Sequence, residues 1–170
     1  MKTIKLPIQN KIDTDEIRRV YSSCFRFCYN RLLEGKSEKE IREIIKDRKL
    51  FLLLDTWFVQ SAIRDAKDQV DSQKKLKIEK CIFGGKKNWF DYIEGRITKE
   101  EFKNNRLRLV SSIGEAPQKG NRKFKLDVIN SNSIIFKPRQ GVKTVLQLPK
   151  LRKNIKKELC RLEIFINNSS

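Results

Sequence analysis

Apolar residues recur with two different periods along this chain. From residue 13 to residue 108 they return every three or four positions, which is the spacing of one helix face. From Leu109 to about residue 148 they alternate with polar residues, which is the period of a half-buried strand. The pattern therefore predicts a helical block followed by a group of strands.

Start and stop signals divide the helical block into four predicted helices. These helices begin at Asp13 or Thr14, at Ser37, at Asp55 or Thr56, and at Thr98. Ser37 and Thr98 are each followed three positions later by a glutamate, which is the pattern of a capping box. Gly35 is expected to end the first helix, because glycine readily adopts the left-handed conformation found there. Residues 81–90, between the third and fourth helices, are predicted to be irregular.

The alternating segments are separated by tight turns. Strands are predicted near residues 3–8, 109–114, 122–129, 132–137 and 142–148, followed by a last helix through Leu151, Ile155, Leu159 and Leu162. Glycine-containing turns at 119–121 and 137–141 separate the later strands. This order predicts an α+β fold in which a small β-barrel or sheet is interrupted by a helical insertion. Residues 1–10 and 109–150 would supply the strands, residues 11–108 the insertion and residues 151–170 the C-terminal helix.

The charge balance narrows the class of partner. The chain carries 39 Lys and Arg against 21 Asp and Glu, a formal net charge of +18. Such an excess disfavours the compact state through self-repulsion unless a polyanion offsets it. The excess is densest from Lys119 to Lys153, where Asp127 is the only acid. Nucleic acid is therefore the first candidate partner, since phosphates neutralise these cations and release condensed counterions.

Particular cations stand on predicted turns, strands and helix faces. The candidate nucleic-acid contacts are Arg26, Arg31, Lys86, Lys87, Arg106, Arg108, Lys119, Arg122, Lys123, Lys125, Lys137, Arg139 and Lys143. The turn at Gly120 and Asn121 can aim three cations at one backbone, because both residues tolerate a positive φ. Arg106 and Arg108 would share one face if they lie on a strand. The alternative for each candidate is a solvated basic surface.

Three aromatic side chains among the helices offer a second kind of contact. Trp57, Trp89 and Phe90 can stack on bases, but packing in the core or the helical lobe is the preferred interpretation. Arg26 and Arg31 flank Tyr29, which is expected to pack inward.

Catalytic and metal chemistry find little support in the residue types. The chain has no histidine, and its four cysteines form no CxxC pair, so neither a zinc site nor a cofactor is predicted. Cys24 and Cys28 are spaced to share a metal on one helix face, but buried apolar packing is preferred. The candidate carboxylate groups fall on predicted helix termini or solvent faces, and the helix dipole explains the acids near helix starts. These groups are Asp13 with Asp15 and Glu16, Glu100 with Glu101, and Asp65 with Asp68. The chain is therefore predicted not to be an enzyme.

Targeting signals are also missing from the sequence. No apolar run reaches the roughly 20 residues that span a bilayer, and the N-terminus lacks the core of a signal peptide. We therefore expect a cytoplasmic protein without a membrane partner, associated with the nucleoid when it is bound to nucleic acid.

Four segments, in order, resemble the TnpB-type (OrfB) proteins of insertion sequences, long described as transposases and related to type V CRISPR effectors. These segments are Cys24–Leu33, with its aromatic-rich Arg-Phe-x-Tyr-Asn signature, Trp57–Ala66, Phe83–Lys87 and Gly120–Phe124. The similarity spans most of the 170 residues.

The resemblance implies a fold, partners and a division of labour. In TnpB-type proteins the N-terminal portion is a wedge (WED) OB-like β-barrel interrupted by a helical recognition (REC) lobe. The barrel and the lobe together hold a guide RNA and the guide–target DNA heteroduplex. Base pairing reads the sequence while the protein grips the backbone. The resemblance places Mg²⁺-dependent cleavage in a RuvC-like nuclease domain that would follow residue 170. The chain is thus expected to be a recognition module, partnered by that downstream domain or by a second copy of itself.

Other functions remain open from the residues alone. A stand-alone, non-catalytic DNA- or RNA-binding regulator could use the same scaffold. An enzyme with an unrecognised carboxylate site would predict Mg²⁺-dependent cleavage by the purified chain. A membrane-surface role is the weakest alternative, because the cations follow strands and helix faces and form no amphipathic anchor.

Overall fold

The chain folds into a mixed α/β structure. The computed structural model describes residues 6, 8, 9, 14–79, 81–112, 121–139 and 141–168. Its elements are α1 (Asp15–Leu33), α2 (Glu38–Asp47), α3 (Thr56–Lys75), α4 (Gly85–Ile93), α5 (Lys99–Asn104), β1 (Phe124–Asp127), α6 (Val128–Ser131), β2 (Ser133–Phe136), β3 (Thr144–Gln147) and α7 (Lys153–Asn168). The α+β prediction is confirmed at this level. Across the described residues the three strands form an open sheet, and no barrel closes.

The elements fall into two compact units. One, the helical unit, is Thr14–Ser111, and the other, the sheet unit, combines Met1–Asp13 with Ser112–Ser170. The predicted boundaries lay after residues 10 and 108. Every helix that the structure describes is too short or too polar to cross a bilayer.

The helical unit has its core between α1 and α3. Tyr21, Phe25 and Tyr29 recur every four residues on α1 and are fully buried, as is Phe58 on α3. Burying each such side chain contributes roughly 1.5–3 kcal/mol, so this interface dominates the stability of the unit. The rings of Tyr21 and Phe58 meet edge to face with their centroids 6.5 Å apart.

Local capping agrees with the sequence signals. Ser37 and Thr98 both form complete capping boxes, so these two predictions are confirmed. The Asp55 carboxylate accepts hydrogen bonds from the amides of Trp57 and Phe58 and caps α3. Gly35 follows the end of α1 with φ of +83°.

Buried polar groups tie the loops of the helical unit to its helices. The Tyr21 hydroxyl donates to the Asp65 carboxylate at 2.7 Å. The Ser111 hydroxyl oxygen lies 2.8 Å from the Tyr21 hydroxyl oxygen. Burial raises the pKa of Tyr21 above its ordinary value. The Tyr29 hydroxyl donates to the Gln73 side chain and accepts from the Cys81 amide at 3.0 Å. These bonds fix the segments around residues 81 and 111 against α1 and α3.

Two predictions in this unit are wrong. Residues 85–93 form α4, although 81–90 was predicted to be irregular. Gly84 precedes α4 with φ of +86°, and a Cβ there would lie 2.8 Å from Arg106 Cγ. Both the positive φ and the close contact favour glycine at this helix start. The strand predicted at 109–114 is absent from its described part, 109–112. Side chains hold that segment in place of strand partners, since the Arg108 amide donates to Ser22 Oγ at 2.9 Å.

The sheet unit is a meander backed by α7. Its order is β1-β2-β3, all antiparallel, with Phe124 opposite Phe136 and Phe136 opposite Thr144. One sheet face packs on a small core made of Val128, Leu148 and Leu159. Gln9 donates its amide to the Gln147 carbonyl at 2.9 Å, while most of the strand predicted at 3–8 lies outside the described residues.

A short helix replaces the end of one predicted strand. The segment 122–129 was predicted to be extended, but β1 ends at Asp127 and α6 follows. The buried Glu163 carboxylate of α7 accepts hydrogen bonds from the amides of Val128, at 2.7 Å, and Ile129, at 3.2 Å. This bond joins residues 35 positions apart, so local periodicity could not have indicated it.

Candidate nucleic-acid interface

One face of α1 presents two arginines separated by two helical turns. Arg19, Ser23 and Arg26 follow the i, i+4, i+7 spacing, so they lie along the same stripe. The Ser23 hydroxyl donates to the Arg19 carbonyl at 3.0 Å and accepts from Arg26 Nη2 at 3.2 Å. The guanidinium of Arg26 is therefore held against the helix.

The end of α5 and the chain after it supply the opposite wall. Between the two walls is a cleft of about 390 Å³, here called the basic cleft. It is lined by Arg19, Ser23, Arg26, Glu100, Lys103, Asn104, Arg106 and Leu107. Four of these side chains are cationic, and Glu100 is the only acid among them. The cleft therefore has a net positive charge.

Like charges face each other inside the basic cleft. Burial, and next the charge of Arg106, lower the pKa of Arg26 below its ordinary value. No carboxylate among the described residues forms an ion pair with either arginine, and Arg106 Nε is buried without a hydrogen-bond partner there. Two half-buried guanidiniums of like charge, neither of them in an ion pair, are costly to hold. A phosphate oxygen would relieve this cost by pairing with the guanidiniums.

Aromatic rings position the arginines that follow α5. The Arg106 guanidinium lies over the Phe102 ring, 5.0 Å from its centroid, and that of Arg108 lies over Phe25 at 3.8 Å. The prediction that these two arginines share one strand face is wrong, because 105–112 contains no strand. Arg106 lines the basic cleft, whereas Arg108 packs on the core.

The sheet unit brings three lysines into one cross-strand row. The Lys137 amide donates to the Lys123 carbonyl at 2.8 Å, which places the two residues opposite each other. The register of Phe136 with Thr144, continued by one residue, places Lys143 opposite Lys137. We call Lys123, Lys137 and Lys143 the lysine row. Lys125 stands in the next row on the same face.

Lys123 differs from the other two members of the lysine row. Only 8% of it is exposed, and burial, followed by the charge of Lys137, lowers the pKa of its ammonium group below the ordinary value. The Asn121 side-chain oxygen accepts from the amides of Lys123 and Phe124, so asparagine does form a turn here. The turn was predicted to aim three cations at one backbone, and the structure buries one of them, Lys123.

The other predicted contacts are dispersed. Arg31 pairs with Glu34 at 2.7 Å and lies over the Phe27 ring. Lys86 and Lys87 occupy the first turn of α4, where Lys87 pairs with Asp91 at 3.5 Å. Arg122 and Arg139 are exposed in the sheet unit, and Lys119 lies outside the described residues. Of the thirteen predicted contacts, the basic cleft contains two, Arg26 and Arg106.

Sequence reasoning missed two cations of the basic cleft. Arg19 was detectable, because it precedes Arg26 by seven residues on a predicted helix and therefore shares its face. Lys103 had no such signal, since its position depends on how α5 packs.

The described residues offer no group suited to metal binding. Among them, no three His, Cys, Asp or Glu side chains cluster as metal ligands would. All four cysteines are free thiols, and Cys24 and Cys28 are buried. The neighbouring Cys28, with burial, raises the pKa of Cys24, so this thiol remains protonated.

Comparison with known protein families gives a match over most of the chain. The family model of the SSO2105 N-terminal domain matches residues 3–163. No curated protein and no solved structure matches the chain significantly.

Proposed function

The chain belongs to the SSO2105 N-terminal domain family, and we propose that it is a nucleic-acid-binding recognition module. In this proposal it holds a guide RNA and the backbone of the guide–target heteroduplex for a TnpB-like RNA-guided nuclease. The helical unit acts as the recognition lobe, and the sheet unit acts as the OB-like wedge. The module is non-catalytic and needs no cofactor of its own, and cleavage belongs to a separate Mg²⁺-dependent domain.

The basic cleft is the observation that carries the proposal. Arg26 and Arg106 are half-buried, positioned by Ser23 and Phe102, and form no ion pair among the described residues. A protein that only needed solubility would place such cations on an open surface. Planar guanidiniums bind phosphate oxygens in a bidentate manner, so the arrangement fits a phosphate of a nucleic-acid strand.

The sheet unit supports the same partner in a less specific way. Like charges directly opposite each other destabilise a sheet, yet Lys123, Lys137 and Lys143 occupy one row. A polyanion laid along the row would turn this repulsion into attraction. The resemblance to TnpB-type proteins supplies the guide RNA and its heteroduplex as the particular nucleic acid.

Anisotropy titrations of the full chain test the proposal. Three labelled probes are compared: an RNA hairpin with a single-stranded tail, an RNA–DNA heteroduplex and a B-form DNA duplex. We expect the first two to bind more tightly than the third. If about five to eight phosphates are contacted, log K falls with log salt with a slope of roughly −4 to −7 over about 50 to 200 mM salt.

Polyglutamate serves as the matched polyanion control. It carries charge without phosphates, so we expect it to compete weakly. A flat salt response, or competition by polyglutamate equal to that of RNA, would overturn the proposal.

A further inference from the structure

Helix α4 exposes large aromatic side chains, whereas α1 and α3 bury most of theirs in the core. Trp89 is 45% exposed and Phe90 is 51% exposed. Packing in the core or the helical lobe was the preferred interpretation of both residues, and Trp89 does pack on rings of the helical unit while about half of its surface stays exposed. A half-exposed tryptophan next to a basic cleft presents a flat apolar surface to a ligand.

The indole of Trp89 is backed by other rings and is therefore held in place. Its centroid lies 5.9 Å from that of Phe102 and 6.3 Å from that of Tyr92, and the latter two rings stack at 4.6 Å. Asn88, which is buried, donates to the Phe102 carbonyl at 3.3 Å and accepts from the Asn105 side chain at 2.9 Å. These contacts fix α4 on α5, so little conformational freedom is lost when a ligand stacks on the exposed indole.

The same phenylalanine connects the indole with the basic cleft. Phe102 contacts Trp89 on one side and lies under the Arg106 guanidinium, 5.0 Å away. Lys86 and Lys87 are exposed on the first turn of α4. Lys87 pairs with Asp91 at 3.5 Å, and Arg106 lies on the same ring cluster as the indole. Cations on the same helix and on the same ring cluster suit a nucleic-acid strand better than an apolar protein surface.

We propose that Trp89 stacks on an unpaired nucleobase of a strand whose phosphate occupies the basic cleft. This inference rests on the proposed function and adds a second element to what is bound: unpaired bases of the RNA, besides the backbone of its paired part. Every base has a π-face, so the contact selects single-stranded character and not a particular sequence. In a continuous duplex the bases are stacked on each other, and the indole has no face to bind.

Substitutions on α4 test the inference by comparing a single-stranded oligouridine RNA with a blunt RNA duplex. We expect Trp89→Ala to weaken binding of the single strand roughly fivefold to a hundredfold. Binding of the duplex should change less than about twofold, and the salt slope should not change, because stacking releases no counterions. Trp89→Phe should retain most of the affinity.

Ile93→Ala is the matched control. Ile93 is 54% exposed on the same helix and cannot stack, so its removal should leave both affinities unchanged. Thermal unfolding followed by circular dichroism verifies that each variant is folded.

Fluorescence gives an independent readout. The chain has two tryptophans, so Trp57→Phe leaves Trp89 as the sole indole. We expect the single strand to quench this emission and the duplex to leave it unchanged.

The outcomes separate the two proposals. If wild-type protein binds RNA while Trp89→Ala binds the single strand equally well, the stacking inference is overturned and the proposed function stands. If Trp89→Ala and Ile93→Ala abolish self-association of the wild type without affecting RNA binding, the face is a protein interface and the inference fails. If wild-type protein binds neither probe, both proposals fail.

Discussion

The two units present positive charge in different ways. In the helical unit, Arg26 and Arg106 face each other across a cleft, and each is held by a neighbouring side chain. In the sheet unit, Lys137 and Lys143 stand in a row at one end of an open sheet, beside the buried Lys123. The arginines of the basic cleft are held in one geometry by their neighbours, whereas the positions of the lysines are set by the pairing of the strands.

The side-chain chemistry matches this difference. A guanidinium offers a rigid fork of donors that fits a phosphate, and it is weakly hydrated, so it tolerates partial burial. An ammonium on a flexible stem is a strongly hydrated point charge and attracts phosphates without fixing their orientation. We therefore expect the basic cleft to determine which structure is bound, and the lysine row to add affinity that depends mainly on ionic strength.

Charge density along the sequence was a poor guide to this difference. The densest cationic segment, 119–153, lies in the sheet unit, but the cleft of paired arginines lies in the helical unit. Cations that cluster in the sequence indicate the class of partner. A binding site with a defined geometry depends on residues that the fold brings together.

Removing both arginines of the basic cleft should have the largest effect. We expect Arg26→Ala with Arg106→Ala to weaken binding of the tailed RNA hairpin by at least about a hundredfold, since each charge-assisted hydrogen bond contributes roughly 1.5–3 kcal/mol. Anisotropy titration at one fixed salt concentration measures the loss.

The control for the double arginine variant removes the same charge elsewhere in the helical unit. Lys39→Ala with Lys46→Ala takes away two exposed cations of α2. A loss of less than about threefold is expected there, because only long-range attraction is reduced. Equal losses in the two double variants would show that the basic cleft has no special role.

Removing the two more accessible members of the lysine row should have a smaller effect that depends on salt. We expect Lys137→Ala with Lys143→Ala to weaken the hairpin and the DNA duplex alike, by about fivefold to tenfold. The slope of log K against log salt should become shallower by about 1 to 2, because fewer counterions are released.

Two exposed lysines of α7, Lys156 and Lys157, provide the comparison for the lysine row. Their replacement by alanine lowers the net charge of the sheet unit by the same amount, and we expect a smaller change in slope. A much larger loss for one of the two probes than for the other after the Lys137 and Lys143 changes would contradict the assignment of an unspecific role.

Sequence patterns predicted those structural elements that are determined by contacts between residues close in sequence. The capping boxes at Ser37 and Thr98, the cap at Asp55 and the periodicity of α1 were all readable, because their partners lie within one or two helical turns. The α+β order followed from the change of period near residue 109.

Features that depend on distant contacts were not readable. The end of β1 depends on Glu163, and the absence of a strand at 109–112 goes with bonds from Arg108 and Ser111 to α1 and α3. In the same way, the basic cleft needs Lys103 and Arg106 to be carried to α1 by the packing of α5, which no periodicity encodes.

Lys123 gives the smallest expected effect and separates the buried member of the lysine row from its exposed neighbours. Its folded-state pKa lies below the ordinary value of 10.5, so charging it costs stability at any pH below that folded-state pKa. As pH rises from the folded-state pKa towards 10.5, the cost disappears and the free energy of unfolding increases. We therefore expect Lys123→Met to raise Tm near pH 8, and this gain to shrink as pH approaches 10.5.

Lys125→Met, the same change at an exposed position of β1, should show no such narrowing. A difference between Lys123→Met and wild type that stays constant across the pH series would mean that the buried ammonium is fully compensated in the fold.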